Sequence, residues 1–230
     1  MISLPRSFAL AFAQLSDPRV LGLLVKSALI TLVLVAAIGA GGFALISGSL
    51  SRFAEGMPFV EAAGAVIALV LAALSMWLVW RLVAMAVLQY FADDVIAAVE
   101  DRYYPGLAPR DVPMAQQVRQ ASRGALRALI ANLVALPVAL ALLVTGVGTA
   151  ILFAIVNGWL LGRELQDMVW LRHAPADAKA PLSWLTRFLL GLAVVGLLTV
   201  PFLNLLAPFL GAAAATHLIH RAAAQQGTVR

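Results

Sequence analysis

The chain contains no cysteine, which removes disulfide frameworks, thiolate metal centres and cysteine nucleophiles from consideration. Charge is also scarce. Of its 230 residues 12% are Asp, Glu, Lys or Arg, against about 25% in an ordinary soluble domain. Acids are the rarer sign, 11 against 16 basic residues. A net charge of +5 in so apolar a chain points to loops flanking a membrane rather than to nucleic-acid binding. The sequence has no Gly-x-Ser-x-Gly, no His-Glu-x-x-His, no lysine-bearing phosphate loop and no dinucleotide fingerprint, and no base–nucleophile pair is visible. No catalytic residue, no cofactor and no enzymatic activity are therefore assigned. His217 and His220 are spaced i, i+3 near the end of the last helix. With no carboxylate or cysteine close to them in sequence, they are given no metal.

What is abundant is hydrocarbon: 63% of residues are hydrophobic and mean hydropathy is +0.96. This composition belongs to an all-α, polytopic membrane protein, read as one helical membrane domain over residues 1–230. Residues 3–15 read as an amphipathic helix lying at the interface, with Leu4, Phe8, Phe12 and Leu15 on one face. The apolar stretch after Arg6 is too short for a signal-peptide core. Residues 20–46 read as the first long spanning helix, with Gly39, Gly41 and Gly42 available for close helix contact. A polar connection follows over 47–58. Residues 59–103 carry no helix breaker and would make a helix on the order of 65 Å long. Such a helix projects beyond the bilayer, leaving it near Arg81 and ending in an arm with Asp93, Asp94, Glu100 and Asp101. After the turn residues Tyr104-Pro105-Gly106 a helix resumes at Met114, with Arg119, Arg123 and Arg127 along one face. That stripe either pairs with the acids of the arm or faces solvent and lipid phosphate.

Two later hydrophobic runs are interrupted. Ala128–Leu161 is broken by Thr145-Gly146-Val147-Gly148-Thr149, and Leu182–Ile219 is cut by Pro201 and Pro208. A helix needs about 20 residues to cross the hydrocarbon core, and the pieces beside each break are shorter than that or barely equal to it. Residues 114–161 and 182–220 therefore read as broken, hemipenetrating hairpins, with 162–173 as an interfacial helix and 221–230 as a loose polar tail. If 128–161 goes in and back out, 15 of the 16 basic residues fall on one side and only Arg52 on the other. This arrangement puts both termini in the cytoplasm; four simple crossings are the alternative.

The polar residues near these runs are the functional candidates. Asn157 and Asn204 either brace a break or line a conduit. Arg163 and Glu164, with Asp167, either anchor a helix or belong to a polar pathway. Arg19 and Lys26 stand at the start of the first spanning helix, where charge and free N–H groups together would attract an inorganic oxyanion; ordinary interfacial anchoring is the competing reading.

The strings Asn157-Gly158-Trp159-Leu160-Leu161-Gly162-Arg163-Glu164 and Pro201-Phe202-Leu203-Asn204-Leu205-Leu206-Ala207-Pro208, with Leu15-Ser16-Asp17-Pro18-Arg19 after the opening helix, resemble the CysZ-like, etoposide-induced-protein family of membrane proteins. The similarity spans about residues 3–221. It implies two long spanning helices with extramembrane extensions, hemipenetrating hairpins, and oligomers in the bacterial inner membrane. It also implies a role in sulfate uptake without an ATPase partner. A Gly-Leu-Arg motif at the start of the first spanning helix is associated with sulfate in that family. Here Gly22-Leu23 is followed by Leu24 rather than arginine, and Arg19 and Lys26 are the nearest positive charges.

The sequence thus leads to an inner-membrane homo-oligomer, in contact with lipid, that passes sulfate or a similar small oxyanion as a channel or facilitator. Its candidate anion-binding residues are Arg19, Gly22, Leu23 and Lys26. Its pathway or bracing residues are Asn157, Arg163, Glu164 and Asn204. The alternative is a non-transporting scaffold whose arm, residues 93–127, docks a protein or anionic lipid.

Overall fold

The computed structural model describes residues 3–53, 92–107, 109–174, 178–200 and 203–226. Every regular element among these residues is helical. The helices are α1 (Leu4–Gln14), α2 (Pro18–Phe53), α3 (residues 92–103), α4 (Met114–Leu142), α5 (Val147–Trp170), α6 (Trp184–Thr199) and α7 (Leu203–Gln226), with a 3-10 turn at Leu143–Thr145. The chain divides into two compact units, Met1–Val20 with Ala92–Arg230, and Leu21–Phe91. Most of the long helix expected over 59–103, including its exit at Arg81, lies outside the described residues; α3 is its last part.

Helix α2 begins where the sequence places a cap. Asp17 precedes Pro18, the first helical residue, and its Oδ1 accepts the Arg19 N–H at 2.9 Å, so a carboxylate and a proline define the first turn. The helix continues to Phe53 through residues expected to form a polar connection. Gly and Ser in 47–51 each cost a helix less than about 1 kcal/mol relative to alanine, and the next proline is Pro58.

Among the described residues two stretches are long and apolar enough to cross a membrane, Pro18–Gly42 and Met114–Thr145, each with hydropathy 2.4. Only 11% and 6% of their apolar windows are buried inside the chain. Leu21, Val25 and Val33 of α2 and Leu133, Val134 and Leu140 of α4 are exposed. A water-soluble core helix would bury such faces; exposed apolar faces of this length suit a membrane-spanning helix.

The glycine-rich break folds the chain back on itself. Gly146 has φ +61°, a conformation glycine adopts without steric cost. Thr145 Oγ1 donates to the Leu142 carbonyl at 2.7 Å and accepts the Gly148 N–H at 3.0 Å. From this turn α5 runs back along α4. Thr149 Oγ1 donates to the Ala139 carbonyl at 3.3 Å near the turn, and Arg127 lies 4.0 Å from Asp167 at the open end. Residues 128–161 therefore form a hairpin. The separate interfacial helix expected over 162–173 does not occur, because α5 continues unbroken to Trp170.

Helix α6 is capped by Ser183, whose Oγ accepts the Thr186 N–H at 3.2 Å. It ends at Thr199, and Val200 is extended, as a residue before proline prefers; Pro201 itself is outside the described residues. Pro208 does not break the chain as expected: it sits inside α7, and the helix passes through it. An internal proline costs about 3 kcal/mol, but α7 is the central helix of its unit and its packing outweighs that cost. Helices α1, α5 and α6 pack on it, and Ala207, Leu210, Ala212–Ala215, Leu218 and Ile219 are all buried.

The α1 helix is present as expected, but the face buried in the chain is Ser7, Ala11 and Gln14, while Phe12 is 41% exposed. Among the described residues α5 and α6 approach each other backbone to backbone. A Cβ added at Gly162 would overlap the Arg187 carbonyl oxygen, and one at Gly191 would overlap the Gly158 carbonyl oxygen. Gly158 and Gly162, spaced i, i+4, thus form a small-residue seam against Gly191 that lets two backbones touch.

Candidate functional site

That seam determines what gathers at the open end of the hairpin. Arg163 lies one residue beyond Gly162, and Arg187 is the residue whose carbonyl Gly162 accommodates. Arg163 Nε is 3.8 Å from Asp167 Oδ2, and Arg127 Nη1 of α4 is 4.0 Å from the same oxygen. Arg187 is close enough for charge interaction with Arg163 and Asp167, and Arg127 with both Arg163 and Arg187. Arg127 and Arg163 from two helices therefore share one carboxylate, with Arg187 of a third helix near enough to add positive charge and Glu164 near enough to add negative charge, so positive charge remains in excess. The Arg163 Nε atom is buried and, beyond its 3.8 Å approach to Asp167, makes no hydrogen bond among the described residues. A buried donor without a hydrogen bond costs about 1–3 kcal/mol and more when charged, so an additional acceptor at this cluster would be favourable. An anion bearing several oxygens fits such a set of forked donors.

A second polar cluster lies just beyond the same, C-terminal end of α5. Glu100 of α3 is 4% exposed, and its Oε1 accepts hydrogen bonds from His173 Nε2 and His220 Nε2, both at 2.8 Å. His173 comes from the turn after α5 and His220 from α7. Burial pushes the Glu100 carboxyl up, but the hydrogen bonds and charge of the two imidazoles outweigh it and bring the group down to about 2. One turn earlier on α7, fully buried His217 meets Gln14 of α1 through Nε2 at 2.6 Å and Tyr104 Oη through Nδ1 at 2.9 Å. All three histidines of the chain are thus gathered in one place, tying α1, α3 and the turn after α5 to α7.

Three of the four acids of the arm are used internally. Asp93 accepts a hydrogen bond from Arg172 at 3.2 Å, Glu100 holds the two histidines, and Asp101 lies 3.9 Å from Arg19. The Arg119, Arg123 and Arg127 stripe does not pair with them among the described residues; Arg127 turns to Asp167.

The residues singled out by sequence separate accordingly. Arg163 belongs to the guanidinium cluster, while its neighbour Glu164 is exposed. Asn157 Nδ2 donates to the Phe153 carbonyl of its own helix at 2.8 Å, and Asn204 is exposed at the start of α7. Arg19 lies in the larger unit with its N–H bonded to Asp17, and Asp17 is also ion-paired with Arg102. Gly22, Leu23 and Lys26 lie in the Leu21–Phe91 unit. Sequence reasoning does not bring out Arg127, Arg187, Glu100 and His173, because their partners are 20 to 120 residues away. A trace existed for one pair: Gly158 and Gly162 have the spacing of a helix-contact seam, which brings the flanking Arg163 against another helix.

Residues 7–208 match the family described as Sulfate transporter CysZ/Etoposide-induced protein 2.4. No curated protein and no solved structure gives a match.

Proposed function

Because the chain belongs to the CysZ/etoposide-induced protein 2.4 family of membrane proteins, we propose that it passes sulfate, or a small inorganic oxyanion of like charge, across the membrane as a channel or facilitator. The observation that carries this reading is the gathering of Arg127, Arg163 and Arg187 near Asp167, with a buried Arg163 Nε that makes no hydrogen bond among the described residues. An oxyanion there offsets the excess positive charge and accepts a hydrogen bond from Arg163 Nε.

Arg127 and Arg163 share Asp167, which supports placing both on one side of the membrane. The helix from Arg127 to the turn is about 24 Å long, against a hydrocarbon core of ~30 Å, so the arginines sit at one interface with the Gly146 turn near the other. Positive residues favour the cytoplasmic side of an inner membrane, with both termini there. Arg19, exposed at the start of α2, draws anions toward that face, Asn157 braces α5, and Glu164 and Asn204 are the polar groups of the route. The exposed apolar faces of α2 and α4 meet lipid and further copies of the chain. The internal pairing of Asp93, Glu100 and Asp101 weighs against an arm free to act as a scaffold. Uptake of radiolabelled sulfate into liposomes holding the purified protein tests the proposal. Accumulation above empty liposomes, reduced by unlabelled sulfate, is expected; accumulation equal to empty liposomes overturns it.

A further inference from the structure

Glu100, His173 and His220 converge from three separate segments, and their ligand atoms all lie within 4.8 Å of one another. Both imidazoles point Nε2 at the same carboxylate oxygen, each at 2.8 Å. The three side chains are 5% exposed or less. We propose that these residues form a binding site for a divalent transition-metal ion of the Zn2+ class, held by one carboxylate oxygen and two imidazole nitrogens.

The geometry is near what such an ion needs. Ligand atoms at ~2.0–2.1 Å from a tetrahedral centre are about 3.3 Å apart, so each N···O separation opens by about half an ångström. The two rings are edge-to-face, with centroids 4.9 Å apart and planes at 75°, an arrangement that leaves both nitrogens free to face one centre. Each neutral imidazole presents its Nε2 lone pair when the ring proton sits on Nδ1, the tautomer that metal-bound histidines adopt. A buried carboxylate needs positive charge as well as hydrogen bonds, and a divalent ion at this point supplies it. Three protein ligands leave a fourth position for water or an anion. His217, held by Gln14 and Tyr104, stands outside the ligand set. The ion would lock α3, the turn after α5 and α7 together.

The test is Co2+ titration of tag-free, full-length protein in detergent, followed by absorption and by Zn2+ displacement. Because the chain has no cysteine, any visible band arises from nitrogen and oxygen ligands. One Co2+ per chain, displaced by Zn2+, is expected. Glu100→Gln and His173→Ala should each weaken binding at least about tenfold, and His217→Gln should leave it unchanged. Melting without metal identifies any variant that fails to fold, and His173→Ala, in a turn, is the variant to rely on if Glu100→Gln does. Zn2+ should raise the melting midpoint of the wild type but not that of His173→Ala. Absence of stoichiometric binding to the wild type, or equal binding by folded His173→Ala, overturns the proposal.

Discussion

Gly162 of α5 lies against the main-chain carbonyl of Arg187 in α6, with no room for a Cβ between them. The contact is between backbones, so no side-chain rotation relieves an added methyl. Gly162→Ala should therefore destabilise the protein by about 1–3 kcal/mol, as overpacking does, and shift Arg187 away from Arg163. An alanine side chain at Gly196 of α6 meets nothing within 4 Å, and Gly196→Ala should leave stability within about 0.5 kcal/mol. Thermal melting of both variants in detergent checks the difference.

Asp17 caps α2 through the Arg19 N–H and pairs with Arg102. The backbone hydrogen bond, and after it the Arg102 side chain, hold its carboxyl below the usual range. Loss of the cap in Asp17→Ala should cost about 1 kcal/mol. Asp17→Asn keeps an accepting oxygen and should recover most of that in the same melting assay.

Glu100 gives the pH dependence. Its carboxyl titrates at about 2 in the folded chain against an ordinary 4.5. A depressed carboxylate contributes stability that is fully present above the ordinary value and is lost as pH falls from there through about 2. Melting midpoints of the wild type should therefore drop as pH is lowered from 5 toward 3, and Glu100→Gln should drop less steeply from a lower start. Parallel curves for the two proteins would remove Glu100 from the cause.

Membrane sidedness has a clean assay because the chain lacks cysteine. A single Lys179→Cys substitution should react with an impermeant thiol reagent only after the cytoplasmic side is exposed. Labelling from the periplasm in intact cells would mean that the α4–α5 pair does not return the chain to the side it left.

Much of the architecture is legible in the residues themselves. The turn at Gly146 is announced by two glycines among threonines, and the start of α2 by Asp17-Pro18. Pro208 misleads because a proline's local cost was weighed without the burial that surrounds α7. The candidate sites were less legible. Arg163 stood out as a charge beside an apolar run, but Arg187 joins it only through the glycine seam. Glu100 reads as one of several arm acids, and its partnership with His220 spans 120 residues, a distance over which local periodicity carries no information.

The arginine cluster carries the functional account, and sulfate uptake by Arg187→Gln in proteoliposomes tests it most directly. Arg187 contributes charge without lying within ion-pair distance of Asp167 among the described residues, so its neutral variant should fold as the wild type does. A fall in uptake of about tenfold or more at unchanged melting midpoint, corresponding to ~1.4 kcal/mol, is the predicted result. Wild-type uptake rates in that variant, at equal protein density, would contradict an oxyanion site at Arg127, Arg163 and Arg187.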